Sequence, residues 1–299
     1  MRPGWPSRWS LPRCWHGRTA PTCSACAQAP RTASRRRACW RGFGRAAMRE
    51  SDLALDDAAR AELAAFQHAL AVDSTQDWAL SVPVPARGCA VFVADAQRAG
   101  RGRRGRAWQT DPQGALAFTV SRRFGLPPAR LAPLGPAAGV AVARALAALG
   151  LGTVRVKWPN DLVVDDAKLG GILIEARGDA VAIGIGVNLD VAAMPHLGQP
   201  WTDLRRAGCG EGDRARVLGA LLRGLLPALA SFERDGFPVF AAEWARFDAL
   251  AGRPVRVLAG GAALEGVALG VEADGGLRVR HADGERVHHA GEVSVRVAA

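Results

Sequence analysis

Two stretches of the chain carry residue types suited to handling anions. The first is Gly100-Arg101-Gly102-Arg103-Arg104-Gly105-Arg106-Ala107-Trp108. Glycines let backbone N–H groups approach a ligand closely, and guanidinium forks add charge, so this spacing predicts an anion cradle. The second is Lys157-Trp158-Pro159-Asn160-Asp161, followed by Lys168-Leu169-Gly170-Gly171. It holds both lysines of the chain. Asn160 and Asn188 are the only asparagines, Ile172, Ile174, Ile183 and Ile185 the only isoleucines, and tyrosine is absent. A GC-rich coding sequence drifts away from Lys, Asn, Ile and Tyr, and the positions that resist are those where a substitute fails. An ammonium kept where arginine is used elsewhere is a compact point charge with a specific task.

Plainer readings stand beside these. Gly100-x-Gly102-x-x-Gly105 matches the dinucleotide-binding spacing, but Ala107-Trp108-Gln109-Thr110-Asp111-Pro112 does not continue as a helix, so that fingerprint is rejected. A basic mobile loop describes it better; a solvated arginine loop or an RNA-binding patch are the alternatives. Trp108 reads as core or as a cover for a purine. Lys157 lies in the alternating run Val154–Trp158 and reads equally as a rim charge or a ligand contact. Lys168 follows Asp165-Asp166 and precedes Gly170 and Gly171, where a strand enters the core and glycines admit a ligand. Its plain reading is a surface ion pair to Asp165 or Asp166. Asn160 and Asp161 read also as turn formers, and Asn188 as a strand-end cap.

The elements that must position these residues follow from periodicity. Leu55, Ala59, Leu63, Phe66 and Leu70 predict an amphipathic helix over residues 53–71. Asp73-Ser74-Thr75-Gln76 reads as a polar turn or helix start. Residues 91–94 and 115–121 predict strands flanking a Gly/Arg loop at 97–114, and 131–149 an alanine-rich helix ended by Gly150 and Gly152. Close strands at 154–158, 162–164, 170–176 and 181–189 imply hairpins and a largely antiparallel or mixed sheet. Helices are predicted at 214–234 and 238–250. Beyond Gly252-Arg253-Pro254 short alternating runs, divided by Asp274-Gly275 and Asp283-Gly284, predict a small β-barrel.

Composition narrows the class. The chain has 299 residues, 49% of them apolar, and a formal charge of +11. Residues 1–47 hold ten arginines and no acid, which leaves 29 bases against 28 acids in the remainder. The near-neutral body argues against nucleic-acid binding. No apolar run approaches the roughly 20 residues of a membrane span. Residues 1–47 also hold four of six cysteines and four of nine tryptophans. A transit peptide, a zinc site at Cys23-x-x-Cys26 and translated upstream sequence with a start at Met48 are the readings; the abrupt onset of acids at Glu50 favours the last. The two remaining cysteines, Cys89 and Cys209, suit a reducing cytoplasm.

Taken in order, Ser74-Thr75, Ala94-Asp95-Ala96-Gln97, Gly100–Trp108, Lys157–Asp161, Lys168–Leu173 and Gly184-Ile185-Gly186-Val187-Asn188 resemble the motifs of biotin protein ligases. The resemblance covers residues 70–190 and extends towards the C-terminus. It implies an α+β fold: a mixed or antiparallel sheet with flanking helices, of the class II synthetase-like biotin/lipoate ligase type, over 48–251, and a small SH3-like barrel over 252–299. It implies that biotin and ATP, with Mg2+, form biotinoyl-AMP, and that a lysine of a biotin carboxyl carrier protein then takes the acyl group. Lys168, Arg103 and Asp161 would be catalytic. Ser74, Thr75, Gln76, Gln97, Arg101, Gly102, Arg103, Lys168 and Gly171 would bind biotin. Arg103, Arg106, Trp108, Lys157, Asn160, Lys168 and Asn188 would bind ATP. Gln76 stands where the family often has Asn, and Arg98 where it often has Thr. Residues 1–50 are too short for the helix-turn-helix that some members carry, so no DNA partner is expected, nor a membrane; monomer and homodimer stay open. Lipoate–protein ligase is the nearest rival, and an RNA-binding module the rival from another class.

Overall fold

The computed structural model describes residues 47–108, 114–192, 199–209, 213–259, 262–290 and 293–297. They belong to one compact unit, Trp40–Ala299. The readings made for residues 1–46, and for Gln109–Gln113 of the Gly/Arg loop, lie outside the described residues.

A seven-stranded sheet forms the frame, in the order β1-β2-β3-β7-β6-β5-β4. Its strands are β1 (Leu63–Val72), β2 (Cys89–Gln97), β3 (Ala115–Arg123), β4 (Arg155–Lys157), β5 (Asp161–Val164), β6 (Ala167–Arg177) and β7 (Ala180–Asn188). Strands β1 and β2 run parallel; the other neighbours are antiparallel. The expected mixed sheet with hairpins is therefore observed. Asp165 and Asp166 form the β5–β6 turn at positive φ of 48° and 62°. Such backbone suits Asp better than most side chains, which is why an acidic pair sits there.

The predicted helix over 53–71 is corrected. Only α1 (Asp57–Glu62) is helical, and the chain then enters β1 directly. The apolar residues Leu63, Phe66 and Leu70 fit a helical stripe, but the backbone of this segment pairs with Cys89–Gln97. Tertiary pairing overrides a local period when a neighbouring strand supplies hydrogen bonds.

Period two divides β2 between two layers. Cys89, Val91 and Val93 join the main core with α3 (Leu134–Ala148) and α4 (Arg214–Asp235). Ala90 and Phe92 face α2 (Thr75–Ser81) on the other side, where Trp78 meets Phe92 edge-on at 5.1 Å between centroids. Small residues bring the two long helices together: a Cβ at Gly224 would lie 3.0 Å from the Ala141 carbonyl oxygen. Residues 128–148 and α4 are long and apolar enough to cross a bilayer by length and composition, contrary to the sequence expectation. About two thirds of each apolar window is buried inside the protein, as in core helices. The helix expected at 238–250 is a 3-10 turn (Phe237–Phe240) and α5 (Ala241–Phe247).

The C-terminal residues form a five-stranded antiparallel sheet, in the order β11-β10-β9-β8-β12. It comprises β8 (Pro254–Ala259), β9 (Ala262–Val271), β10 (Leu277–His281), β11 (Gly284–His288) and β12 (Val293–Val297). Among the described residues its two outer strands, β11 and β12, are not paired with each other, so the sheet is open. Trp158, 1% exposed in the β4–β5 turn, donates its indole N–H to the Gly275 carbonyl at 2.9 Å and ties this sheet to the frame. Arg253 grips Asp166 with two hydrogen bonds of 2.6 and 2.9 Å.

Candidate active site

Three pieces of chain converge on one cleft over β3, β7 and β6: the start of α2, the Gly/Arg segment, and the lysine-bearing β5–β6 pair. Every residue assigned a binding or catalytic role from the sequence lines this cleft, except Lys157.

Ser74 is the N-cap of α2, its hydroxyl accepting the N–H groups of Gln76 and Asp77 at 3.2 and 3.4 Å. The Thr75 N–H and hydroxyl both donate to Gln97 Oε1, at 2.8 and 3.1 Å. Thr119 on β3, fully buried and not foreseen, donates to Thr75 Oγ1 at 3.0 Å. Gln76 donates its amide to the Ala182 carbonyl of β7 at 3.1 Å. A Cβ at Gly184 would come within 2.4 Å of Gln76 Oε1, so the glycine makes room for this side chain.

The Gly/Arg segment is a closed hairpin. Trp108 N–H donates to Gly100 O at 2.8 Å, and Gly102 N–H to Arg106 O at 2.7 Å. Its tip is a 3-10 turn with Arg104 at φ 58° and Gly105 at φ 71°. The anion-cradle expectation is thereby corrected in part. The N–H groups of Gly102, Arg106 and Trp108 serve the hairpin itself, so these three do not face an anion. Arg101 pairs with Asp77 and Glu175, both at 2.5 Å. Arg103 donates to Asn160 Oδ1 at 3.0 Å and to the Ala290 carbonyl. Burial pushes the Arg103 guanidinium below the ordinary arginine value, against the pull of Asp161. The Arg106 Nε is 3.5 Å from the Arg103 carbonyl oxygen.

Trp108 lies on the glycines of the floor. A Cβ on Gly186 would be 2.5 Å from its ring, and one on Gly171 3.6 Å. The indole N–H is buried and without a hydrogen-bond partner. Asn188 donates to the Thr202 carbonyl at 2.9 Å, while its own Oδ1 is buried and unpartnered. Two orphaned polar atoms in one cleft mark places where a ligand would restore hydrogen bonding.

Lys168 departs from its plain reading. Its ammonium pairs with Asp161 Oδ1 at 2.6 Å, not with Asp165 or Asp166, and stands 5.8 Å from the centre of the Trp108 ring. The bulge between Leu162 and Val163 shifts the β5–β6 register here. Asn160 donates to the Ile172 carbonyl at 2.7 Å and so braces the turn against β6. Lys157 sits half-buried in β4 outside the cleft lining. Burial lowers its pKa from the usual lysine value, and Asp161 opposes that shift.

Trp201 is a lining residue that sequence reasoning missed. Its segment pairs with Lys168, whose N–H donates to Pro200 O at 2.9 Å, and Arg206 stacks 4.4 Å over its ring. Only its tryptophan, in a polar stretch, hinted at a role.

With this geometry in hand, comparison with known proteins defines the class. Residues 72–191 match the model of the Biotin/lipoate A/B protein ligase family, and the chain belongs to that family. Residues 251–296 match the biotin protein ligase C-terminal domain. The chain is similar to the bifunctional ligase/repressor BirA of Escherichia coli (strain K12), 33% identical over 76% of this chain and 73% of that protein. It is 34% identical to the biotin–[acetyl-CoA-carboxylase] ligase of Paracoccus denitrificans, over 74% of this chain and 96% of that one. Among solved structures, the biotin protein ligase from Aquifex aeolicus in complex with biotin and ATP superimposes with a TM-score of 0.68, at 28% identity, covering 79% of this chain and 99% of that chain. The Leishmania major biotin protein ligase in complex with biotinyl-5-AMP gives 0.51 at 26% identity, covering 77% and 98%.

Proposed function

We propose that the chain is an ATP-dependent ligase that activates biotin as biotinoyl-5'-AMP and transfers it to a lysine of a biotin carboxyl carrier protein. The observation that carries this reading is the convergence of the Ser74–Gln76 cap, the Gly/Arg hairpin and the Lys168–Asp161 pair on one cleft, in a chain of this family. The match of the C-terminal sheet to the biotin protein ligase C-terminal domain favours biotin over lipoate. We read 48–251 as the catalytic domain and 252–299 as that C-terminal domain. The SH3-like reading of the latter rests on its match to the biotin protein ligase C-terminal domain.

The chemistry needs two steps. A biotin carboxylate oxygen attacks the α-phosphorus of ATP, and pyrophosphate leaves with the electron pair of the broken P–O bond. The acceptor amine then attacks the acyl carbon, AMP leaves, and the amine proton is lost. Carboxylate and triphosphate repel one another, so the first step requires fixed positive charge at the meeting point. Lys168, Arg103 and Arg106 line the cleft for that purpose. Asp161 holds the Lys168 ammonium in place. The hairpin with Trp108 covers the floor and keeps water from the mixed anhydride. No cluster of three His, Cys, Asp or Glu residues capable of holding a metal occurs among the described residues, and Asp161 is already paired. Mg2+ would instead arrive on the phosphates of ATP, with Asp161 the carboxylate lining the cleft that could hold it, and no step here runs through it. The buried free thiols Cys89 and Cys209 suit the reducing cytoplasm we expect.

The test is transfer of labelled biotin to a purified carrier domain with ATP, alongside lipoate. Biotin-dependent labelling supports the reading; labelling by lipoate alone, or by neither acid, overturns it.

A further inference from the structure

Arg101 is the one guanidinium of the Gly/Arg hairpin that two carboxylates from two different elements engage at once. Asp77 comes from the first turn of α2 and Glu175 from β6. Strand alternation puts Glu175 on the same face as Gly171 and Leu173, both of which line the cleft. Arg101 stands at the base of the hairpin, bridged to Ala107. At the tip, Arg103 reaches Asn160 and the Ala290 carbonyl. The hairpin is thus tethered at both ends, and the base tether consists entirely of exposed or half-exposed ion pairs.

We infer that Asp77 and Glu175 are positioning residues that clasp Arg101 and hold the Gly/Arg hairpin closed over the cleft. The inference rests on the function proposed above and adds a restraint on the cover of the cleft. Arg101 then acts as a hinge fastener, and its charge is neutralised before any ligand arrives. Glu175 meets Arg101 through Oε1, while its other oxygen, Oε2, is buried without a partner. Exposed ion pairs are individually weak and salt-sensitive. Such a clasp suits a cover that must open to load and unload yet stay shut around a reactive anhydride.

The experiment compares the full-length protein with the double variant Asp77→Asn/Glu175→Gln. The first readout needs no substrate: trypsin cleavage after Arg104, followed by mass spectrometry under native conditions. Removing both pairs should speed that cleavage about five- to tenfold, with the melting temperature little changed. The second readout is release of free biotinoyl-AMP in the absence of acceptor, which should rise by a similar factor. The conservative double variant Asp77→Glu/Glu175→Asp should restore slow cleavage. Raising the salt from about 0.05 to about 1 M should speed cleavage in the parent chain and not in the neutralised variant. Equal cleavage in parent and neutralised variant overturns the clasp. If the variant does not fold, a parent chain indifferent to salt overturns it equally. A parent chain that forms no biotinoyl-AMP overturns the proposed function, while the cleavage result still decides the clasp.

Discussion

The Lys168 ammonium and the Asp161 carboxylate meet across adjacent strands, 2.6 Å apart, inside the cleft and beside the Trp108 ring. The pair explains why this position keeps lysine. A guanidinium is a wide planar fork, whereas the ammonium presents Asp161 with a compact point charge. Lys168→Ala should keep the fold and slow biotin-dependent exchange of pyrophosphate into ATP by about 10²–10³-fold. An exchange rate like that of the parent chain would remove Lys168 from the mechanism.

Arg103 has two anchors on different parts of the chain, Asn160 and the Ala290 carbonyl. Arg103→Gly should free the hairpin tip and let biotinoyl-AMP escape, so that bystander lysines become labelled. Retention of the intermediate, measured by filter binding, would count against the covering role.

Gly186 supports Trp108 with no spare room. Gly186→Ala places a methyl 2.5 Å from the indole and must lift the ring or bend β7. Such overpacking costs about 1–3 kcal/mol, and nucleotide binding should weaken more than stability falls. Calorimetric titration with ATP and a thermal melt check this; unchanged binding would show that Trp108 is no part of the site.

Away from the cleft, Arg122 of β3 joins Glu62 at 2.6 Å and Glu233 of α4 at 2.7 Å. Burial alone would raise the Glu233 pKa. The Gly125 N–H and the Arg122 guanidinium outweigh it and hold the carboxyl below its usual 4.5. A depressed carboxylate pKa adds stability that is complete above the unfolded value and is lost as pH falls through the folded one. Glu233→Gln should therefore cost about 1 kcal/mol at pH 7, after allowance for solvent screening, and progressively less below about pH 4. Urea titrations at pH 7 and pH 3 test it: a gap that does not shrink in acid would exclude the carboxylate as its source.

Much of the frame was legible locally. The hairpin strands from Arg155 to Asn188 follow from alternating apolar runs broken by Pro159, Asp165-Asp166 and Gly178. Helix α4 starts at the expected Arg214 and ends one residue past the expected Arg234, because its apolar stripe is long. Strand β1 was not legible, since Leu63, Phe66 and Leu70 follow a helical spacing and break strict alternation, and only pairing with β2 makes the segment a strand. Trp201 was hidden for a similar reason: its place beside Lys168 depends on a bridge between residues more than thirty positions apart.

By itself the sequence determined which chemistry is present: a glycine-arginine loop, two lysines where arginine serves elsewhere, and the order of motifs that the family shares. Those are properties of residue type and spacing. Tertiary structure decided how each group is used. It turned the Gly102, Arg106 and Trp108 N–H groups inward, engaged Arg101 with two carboxylates, set Lys168 on Asp161, and left Lys157 outside the cleft lining. The physical reason is that a hydrogen bond or ion pair needs a partner at about 3 Å, and which partner arrives there depends on strand register and layer packing, which no local stretch of chain encodes.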